Sequence, residues 1–364
     1  MKSHGYNGQL LDRYLASGWY RMGTRMFTTT YNFYDWGFLS TVWTRLPLAG
    51  HAFPKRTRKL VRRNAGAFRY EVHRARADAA EEEVFARYCA DKAYDLLDTA
   101  GEYLHSAPSS PFDTWQCSVY DVASGGLVAF SYFDLGAEAI QSVAGFYDPA
   151  YARHSLGLYT LCLEVVWAKA NGFAFHYAGY IVPGNDIFEY KRRVGALEAF
   201  DERRKVWFPL ADLAASDLPD VRQRAALRHY DKLFASLRMS YTVRLRPRYA
   251  VSIGQQDLSW LRREQLPFCI TEARANRRPY WACHFYSYFR ARYFSLLCTS
   301  KAFGHERLQV PPELRTAHAP SKRFEHLGSG MTVRLLHETK APYTAADLEH
   351  VWAGVALANE NSGP

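Results

Sequence analysis

The sequence predicts an α+β fold, and three observations carry that prediction. Leu158, Leu161, Cys162, Val165 and Val166 recur at helical spacing after Ser155, and the pattern stops at Asn171-Gly172. An aromatic, strand-like run follows from Phe173 to Ile181 and is broken by Pro183-Gly184. Upstream, strand-like runs at Trp115–Asp121 and Leu127–Leu135 flank Gly125-Gly126, a hairpin signal, and Ile140–Tyr147 reads as a third strand.

The other elements follow in chain order. Leu10 to Ser17 reads as a short helix and Gly18 to Thr30 as a strand-rich stretch. Residues 54–64, PKRTRKLVRRN, hold six Lys or Arg in eleven positions. As a helix, this block puts Arg56, Lys59 and Arg63 on one face and turns Leu60 and Val61 inward. Residues 78–106 read as one long helix with an acidic start at Glu81-Glu82-Glu83, a favourable place for negative charge. Pro108 to Pro111 reads as a turn. Ser155 is the expected N-cap of the central helix, its side-chain oxygen accepting from an otherwise orphaned backbone N–H. Residues 211–238 read as a basic helical connector, and Tyr241–Ile253 and Phe268–Thr271 as strands. The arginine- and aromatic-rich stretch from Arg274 through His284–Tyr293 suits base stacking, but an amphipathic helix is the preferred reading. The division drawn is 1–75, 76–210, 211–240 and 241–364, the last an additional C-terminal α+β region.

At 364 residues with 48% hydrophobic content the chain can bury a sizeable core. Its formal net charge of +10 favours an anionic partner, nucleic acid first among them. Aromatic residues make up 15%, enough both to fill a core and to stack on bases. The six cysteines form no CxxC pair, and no signal peptide or membrane-length apolar run is read. The expectation is a cytoplasmic protein with reduced thiols, no metal, no cofactor and no membrane partner.

Several residues stand out chemically. Arg56, Lys59, Arg62 and Arg63 suit phosphate contact. Arg153 and His154, just before a helix N-terminus, suit an anion as well. Asp186, in the loop after a strand, and Glu164, on the central helix and either in the site or on its solvent face, are the candidate proton acceptors. Tyr180 and Tyr190 read either as core tyrosines or as groups that orient a substrate, and His176 as a packed, hydrogen-bonded histidine. Lys191, Arg192 and Arg193 read as a binding cluster for a carboxylate or for phosphates.

The order Tyr147-Asp148-Pro149, Ser155-Leu156-Gly157-Leu158-Tyr159, Ala178-Gly179-Tyr180-Ile181, Tyr190-Lys191 and Trp207-Phe208-Pro209 resembles the carboxy-terminal half of the arginyl-tRNA–protein transferase family, which includes the bacterial leucyltransferases. A second block agrees: Arg45-Leu46-Pro47-Leu48, Phe53-Pro54 and the run Arg56 to Asn64. The resemblance covers about residues 8–210. It implies an acetyltransferase-like (GNAT) mixed sheet flanked by helices. It also implies transfer of an amino acid, arginine or leucine, from charged tRNA to the N-terminal amine of a protein or peptide, an acidic one among the acceptors. On it, Asp186, Glu164 and Tyr180 are the catalytic candidates. Arg56, Lys59, Arg62, Arg63, Arg153, His154, Ser155, Gly157 and Tyr159 would meet the aminoacyl-tRNA, with Gly157 leaving room for its 3′ end, and Tyr190, Lys191, Arg192 and Arg193 would meet the acceptor. The family's cysteine cluster is missing, for Tyr31–Val42 reads YNFYDWGFLSTV. Two alternatives stand beside this reading. One is an acyl-CoA-dependent N-acyltransferase, against which the glycine spacing of Arg153–Leu158 counts. The other is a non-catalytic tRNA-binding descendant of the transferases.

Overall fold

In the computed structural model the described residues are 8–23, 25–34, 37–92, 97–104, 112–239, 241–245, 250–252, 267–275, 278–288, 291–298, 303–308, 324–327 and 333–360. The chain contacts divide into two compact units. Unit 1 comprises 1–28, 41–213 and 251–257; unit 2 comprises 29–40, 214–250 and 258–364.

In chain order the elements through the first 210 residues are α1 (Gly8–Ala16), β1 (Tyr20–Met22), β2 (Arg25–Thr28), β3 (Tyr31–Tyr34), β4 (Gly37–Ser40), β5 (Val42–Pro47), α2 (Lys55–Ala65), β6 (Phe68–Arg74), α3 (Ala79–Ala90), α4 (Ala100–Leu104), β7 (Thr114–Asp121), β8 (Leu127–Leu135), β9 (Ala139–Tyr147), α5 (Leu156–Ala170), β10 (Phe175–Ile181), α6 (Asp186–Glu189), β11 (Glu198–Asp201) and β12 (Val206–Pro209). There follow α7 (Pro219–Ser236), β13 (Tyr241–Leu245), β14 (Ala250–Ser252), β15 (Pro267–Ala275), β16 (Arg278–Ser287), β17 (Arg292–Cys298), β18 (Phe303–Leu308), β19 (Phe324–Leu327), β20 (Val333–Thr339) and α8 (Ala345–Glu360).

Unit 1 is built on an eight-stranded mixed sheet in the order β12-β11-β5-β10-β9-β8-β7-β6, with β9 and β10 its parallel pair. Strand β8 is buried on both faces, as its apolar run requires. Phe130 and Tyr132 join Val84, Phe85 and Ala100 of α3 and α4 on one face. Ser131 and Phe133 face the other, where Phe133 packs on Trp167 of α5. Helix α5 is buried almost all round, because the sheet lies under it and α2 packs against it. The expected helix over 78–106 is two helices. Glu82 at the start of α3 accepts from Ala100 N and Gly101 N, both at 2.9 Å, and so caps α4. Its neighbour Glu81, also in the first turn of α3, is buried and accepts from Gln116 Nε2 at 2.8 Å. The expected turn at Pro108–Pro111 lies outside the described residues.

Unit 2 has a five-stranded sheet, β13-β15-β16-β17-β20. Its core joins the hairpin β3–β4 to α7 and α8: Tyr31 and Phe38 pack with Leu227, Tyr230, Phe234, Tyr343, Leu348 and Val351. Arg224 donates to Phe38 O at 2.8 Å, and Asp220 N donates to Ser40 Oγ at 2.9 Å. Helix α7, read from sequence as a connector, is therefore part of this core: Ala226, Leu227, Tyr230 and Phe234 form a buried stripe on it. The helix expected over His284–Tyr293 is instead two antiparallel strands, β16 and β17, with His284 opposite Ser295 and Tyr286 opposite Tyr293. Dense aromatic residues suit a pleated, half-buried surface, and pairing across the short β16–β17 hairpin and from β17 to the distant β20 decided the outcome. Burial drives the His284 pKa down to about 3, and Nδ1 sits 2.7 Å from Ser295 Oγ. Among the described residues no helix is long and apolar enough to cross a membrane.

Candidate functional site

Strands β9 and β10 pair only over Ala139–Gln141 and Phe175–Tyr177. Beyond that point β9 runs on to Tyr147 and β10 to Ile181 with no ladder between them. A bulge in the pairing of β10 with β5 coincides with the parting: His176 lies opposite Leu46, yet Gly179 lies opposite Thr44. The extra residue bends β10, and Gly179, at φ +83°, takes a left-handed conformation that a side chain would resist. As a result the centre of the sheet carries a gap. Ser142, Val143 and Ala144 are half-buried and Gly145 is exposed, on a strand otherwise covered by helices.

Helix α5 flanks this gap. Its first turn follows a short 3-10 turn, Pro149–His154, capped by Asp148, whose carboxylate accepts from Ala150 N at 2.9 Å. Ser155 joins the two turns with φ 52° and makes no side-chain cap bond, so the expected N-cap is corrected: this residue changes the chain direction. Its carbonyl accepts from Leu158 N and Tyr159 N, and a left-handed residue holds the kink. Gly157 lies over Tyr147; a Cβ there would meet the Tyr147 ring at 3.6 Å, an ordinary contact.

Within reach of the gap, Glu164 is fully buried, which corrects the solvent-facing alternative. Its Oε2 is 2.9 Å from Nε2 of His176, also fully buried, and its Oε1 is 3.4 Å from Ser142 Oγ. The hydrogen-bonded histidine read from sequence thus has Glu164 as its partner. Lys191, in the 3-10 turn Tyr190–Val194, donates from Nζ to Tyr180 O at 3.0 Å. The same ammonium would lie 3.2 Å from a Cβ on Gly179, a tight contact, and lies 5.7 and 5.8 Å from the ring centroids of Tyr180 and Phe188. Burial lowers the Lys191 pKa to about 8, against a smaller raising effect of Glu164. Tyr180 itself is half-buried, edge-on to Trp43 at 5.0 Å. Asp186 is exposed at the start of α6 and shares no hydrogen bond with Glu164 or Tyr180.

The basic block forms α2 as read. Thr57, Leu60 and Asn64 are its buried face, and Lys55, Arg56, Arg58, Lys59, Arg62 and Arg63 are exposed. The buried polar residues tie two distant turns to this helix. Thr57 Oγ1 donates to Arg193 O at 2.6 Å, and Asn64 Nδ2 donates to His154 O at 2.8 Å. Exposed Arg153 and Arg193 are thereby brought beside the exposed face of α2, forming one basic surface. Among the described residues, Lys55, Arg56, Arg58, Lys59 and Arg62 have no carboxylate within ion-pair distance, whereas Arg192 pairs with Glu189 at 2.5 Å. Two members of the predicted set do not offer a charge or face to this surface. Tyr159 is buried against the Phe68 ring, its pKa raised to about 12 by burial. His154 is held below its ordinary pKa by partial burial and then by Arg153 and Arg63; its Nε2 accepts from Arg153 Nε at 3.1 Å. Thr57 and Asn64 were not singled out from sequence, although their spacing with Leu60 follows the buried stripe of a helix.

Residues 67–201 match the family model described as arginine-tRNA-protein transferase, C terminus. The resemblance read from the sequence holds over that stretch. Among curated proteins, the aspartate/glutamate leucyltransferase of Stenotrophomonas maltophilia (strain K279a) is 29% identical over 170 residues, 44% of this chain and 66% of that protein. The aspartate/glutamate leucyltransferase of Phenylobacterium zucineum is 30% identical over 161 residues, 42% of this chain and 62% of that protein. The chain thus matches a little under two thirds of the length of these relatives. A solved C-terminal domain of a putative lysylphosphatidylglycerol synthetase from Agrobacterium fabrum aligns with a TM-score of 0.30 and 11% identity over 39% of this chain and 46% of that one, too distant to bear on the fold.

Proposed function

We propose that this chain is an aminoacyl-tRNA–protein transferase, reading its sheet as GNAT-like, that moves leucine from charged tRNA to the N-terminal amine of a peptide beginning with an acidic residue. The observation that carries the reading is the overlap of the matched stretch with the gap and its basic border: residues 67–201 include β9, α5, β10 and both turns that α2 holds. The names of the relatives support leucine as donor and aspartate or glutamate as acceptor.

On this reading the exposed face of α2, with Arg153 and Arg193, takes the phosphates of the acceptor stem, and Gly157 admits the 3′ end. The ester is already activated. The acceptor amine, with an ordinary pKa near 8, is about half neutral or less at cellular pH. It attacks the ester carbonyl and a C–N bond forms. The C–O bond to the ribose then breaks, its electron pair goes to the ribose oxygen, and that oxygen takes up a proton while the amine loses one. Holding both reactants in the gap supplies most of the advantage. Asp186, exposed at the strand end, is the candidate proton acceptor, Tyr180 orients the aminoacyl group, and buried Glu164 acts through His176 by shaping the wall.

The test is transfer from radiolabelled leucyl-, arginyl- and phenylalanyl-tRNA to peptides with acidic and neutral first residues. Label appearing in acidic peptides from leucyl-tRNA is the expected result. Binding of charged tRNA without transfer to any peptide would overturn the reading.

A further inference from the structure

The three consecutive cations Lys191, Arg192 and Arg193 are one cluster in sequence and three different groups in the fold. Arg192 is exposed and its charge is met by Glu189. Arg193 is exposed, and its backbone carbonyl is held by Thr57 on the buried face of α2. Lys191 turns inward. Its ammonium sits against Gly179 and Tyr180, on the part of β10 that has left β9.

An ammonium has three donors. Lys191 uses one, on a backbone carbonyl, and among the described residues no carboxylate lies within ion-pair distance of it. Glu164, the acid whose charge acts on it, is already engaged by His176. A desolvated charge without a counter-charge is costly, and the lowered pKa of this lysine reflects that cost. The rings of Tyr180 and Phe188, 5.2 Å apart, border the ammonium on one side, so an anion that reaches it must fit beside them. A carboxylate meets that demand. A backbone phosphate, carrying a sugar on either side, is better served by the exposed cations of α2.

We propose that Lys191 Nζ is the specificity-determining group for the acceptor: it binds the side-chain carboxylate of an acidic first residue and so places that residue's amine in the gap between β9 and β10. This rests on the transferase reading above and assigns one residue within it. The carboxylate supplies the two missing acceptors for the ammonium, and its charge offsets the burial.

The experiment has two arms. In the first, wild type and Lys191→Met are compared for transfer from leucyl-tRNA to peptides that begin with Asp, Glu, Asn or Gln. Wild type should prefer the acids by at least tenfold in kcat/KM. The variant should lose that preference, through KM, while its tRNA affinity and Tm hold. A folded Lys191→Met protein that keeps the preference overturns the proposal, as does a wild type without one. The second arm needs no turnover. Protein labelled at lysine Cε is titrated with an Asp-initiated peptide and its Asn counterpart, the Lys191 resonance being identified by its absence in Lys191→Arg. The Asp peptide alone should shift the signal and raise its titration midpoint; equal responses, or none, overturn the assignment. If no aminoacyl-tRNA supports transfer, the transferase reading fails, and the second arm still decides whether Lys191 receives a carboxylate.

Discussion

The outer face of α2 and the surroundings of Lys191 both carry positive charge, but they hold it differently. On α2 six cations stand exposed with no acidic partner among the described residues, on a helix whose inner face is fastened to the turns at His154 and Arg193. Around Lys191 a single ammonium is desolvated, bonded to one carbonyl and bordered by aromatic rings. The first arrangement suits a long, evenly charged partner, because many weak, screened contacts add along a backbone. The second suits one small group held in one orientation, because a charge in a less polar setting interacts strongly and over a short range. Two basic segments that look alike in composition are therefore suited to different uses, and burial is what separates them.

Substitutions can break or sharpen this contrast. The largest effect is expected beneath the inner site. Glu164→Ala leaves His176 without its hydrogen-bond partner inside the protein and opens a cavity, and should cost about 2–4 kcal/mol. In a unit of this size that is a fall in Tm of roughly 10 °C, read by differential scanning calorimetry. An unchanged Tm would mean that the pair does not hold α5 to β10. Next is the fastening of the outer face. Thr57→Val removes the donor to Arg193 O and should cost about 1–2 kcal/mol. Affinity for tRNA should fall with it, since Arg193 is no longer held beside α2; chemical denaturation and filter binding together measure both.

The outer charges come third. Replacing Arg56 and Arg62 by Ala should weaken tRNA binding roughly tenfold and flatten its dependence on log salt by about one unit per lost contact. Stability should move by no more than about 0.5 kcal/mol, as for other surface positions. A preserved slope would remove the outer face from the binding surface. The smallest effect belongs to Gly157. Its added methyl would rest on Tyr147 at an ordinary distance, so Gly157→Ala should leave Tm nearly unchanged. If the 3′ end approaches here, transfer falls while the fold stays intact. Normal transfer by a stable variant would take this turn out of the donor path.

The local elements were legible in the sequence because their causes are local. The helical spacing from Leu158 to Val166, the stop at Gly172 and the breaks at Gly125-Gly126 and Pro183-Gly184 correspond to α5, β10 and the β7–β8 hairpin. The basic block reads as a helix with an outer charged face for the same reason: period and composition lie within eleven residues. The long helix over 78–106 and the helix over His284–Tyr293 differ from the structure because partners well beyond one helical turn, Glu82 for Ala100 and β17 for β16, override local preference.

What the sequence by itself determined is which segments are helix or strand at the centre of the protein and which residues carry charge. Only the tertiary structure decided which charges face water. It set Lys191 inward beside Tyr180 and Phe188, paired buried Glu164 with His176, and used Thr57 and Asn64 to join turns 136 and 90 residues away. The reason is that burial and pairing are properties of neighbours in space. A bulge at Gly179 that parts two strands changes the surroundings of a lysine twelve positions later without altering any pattern around it.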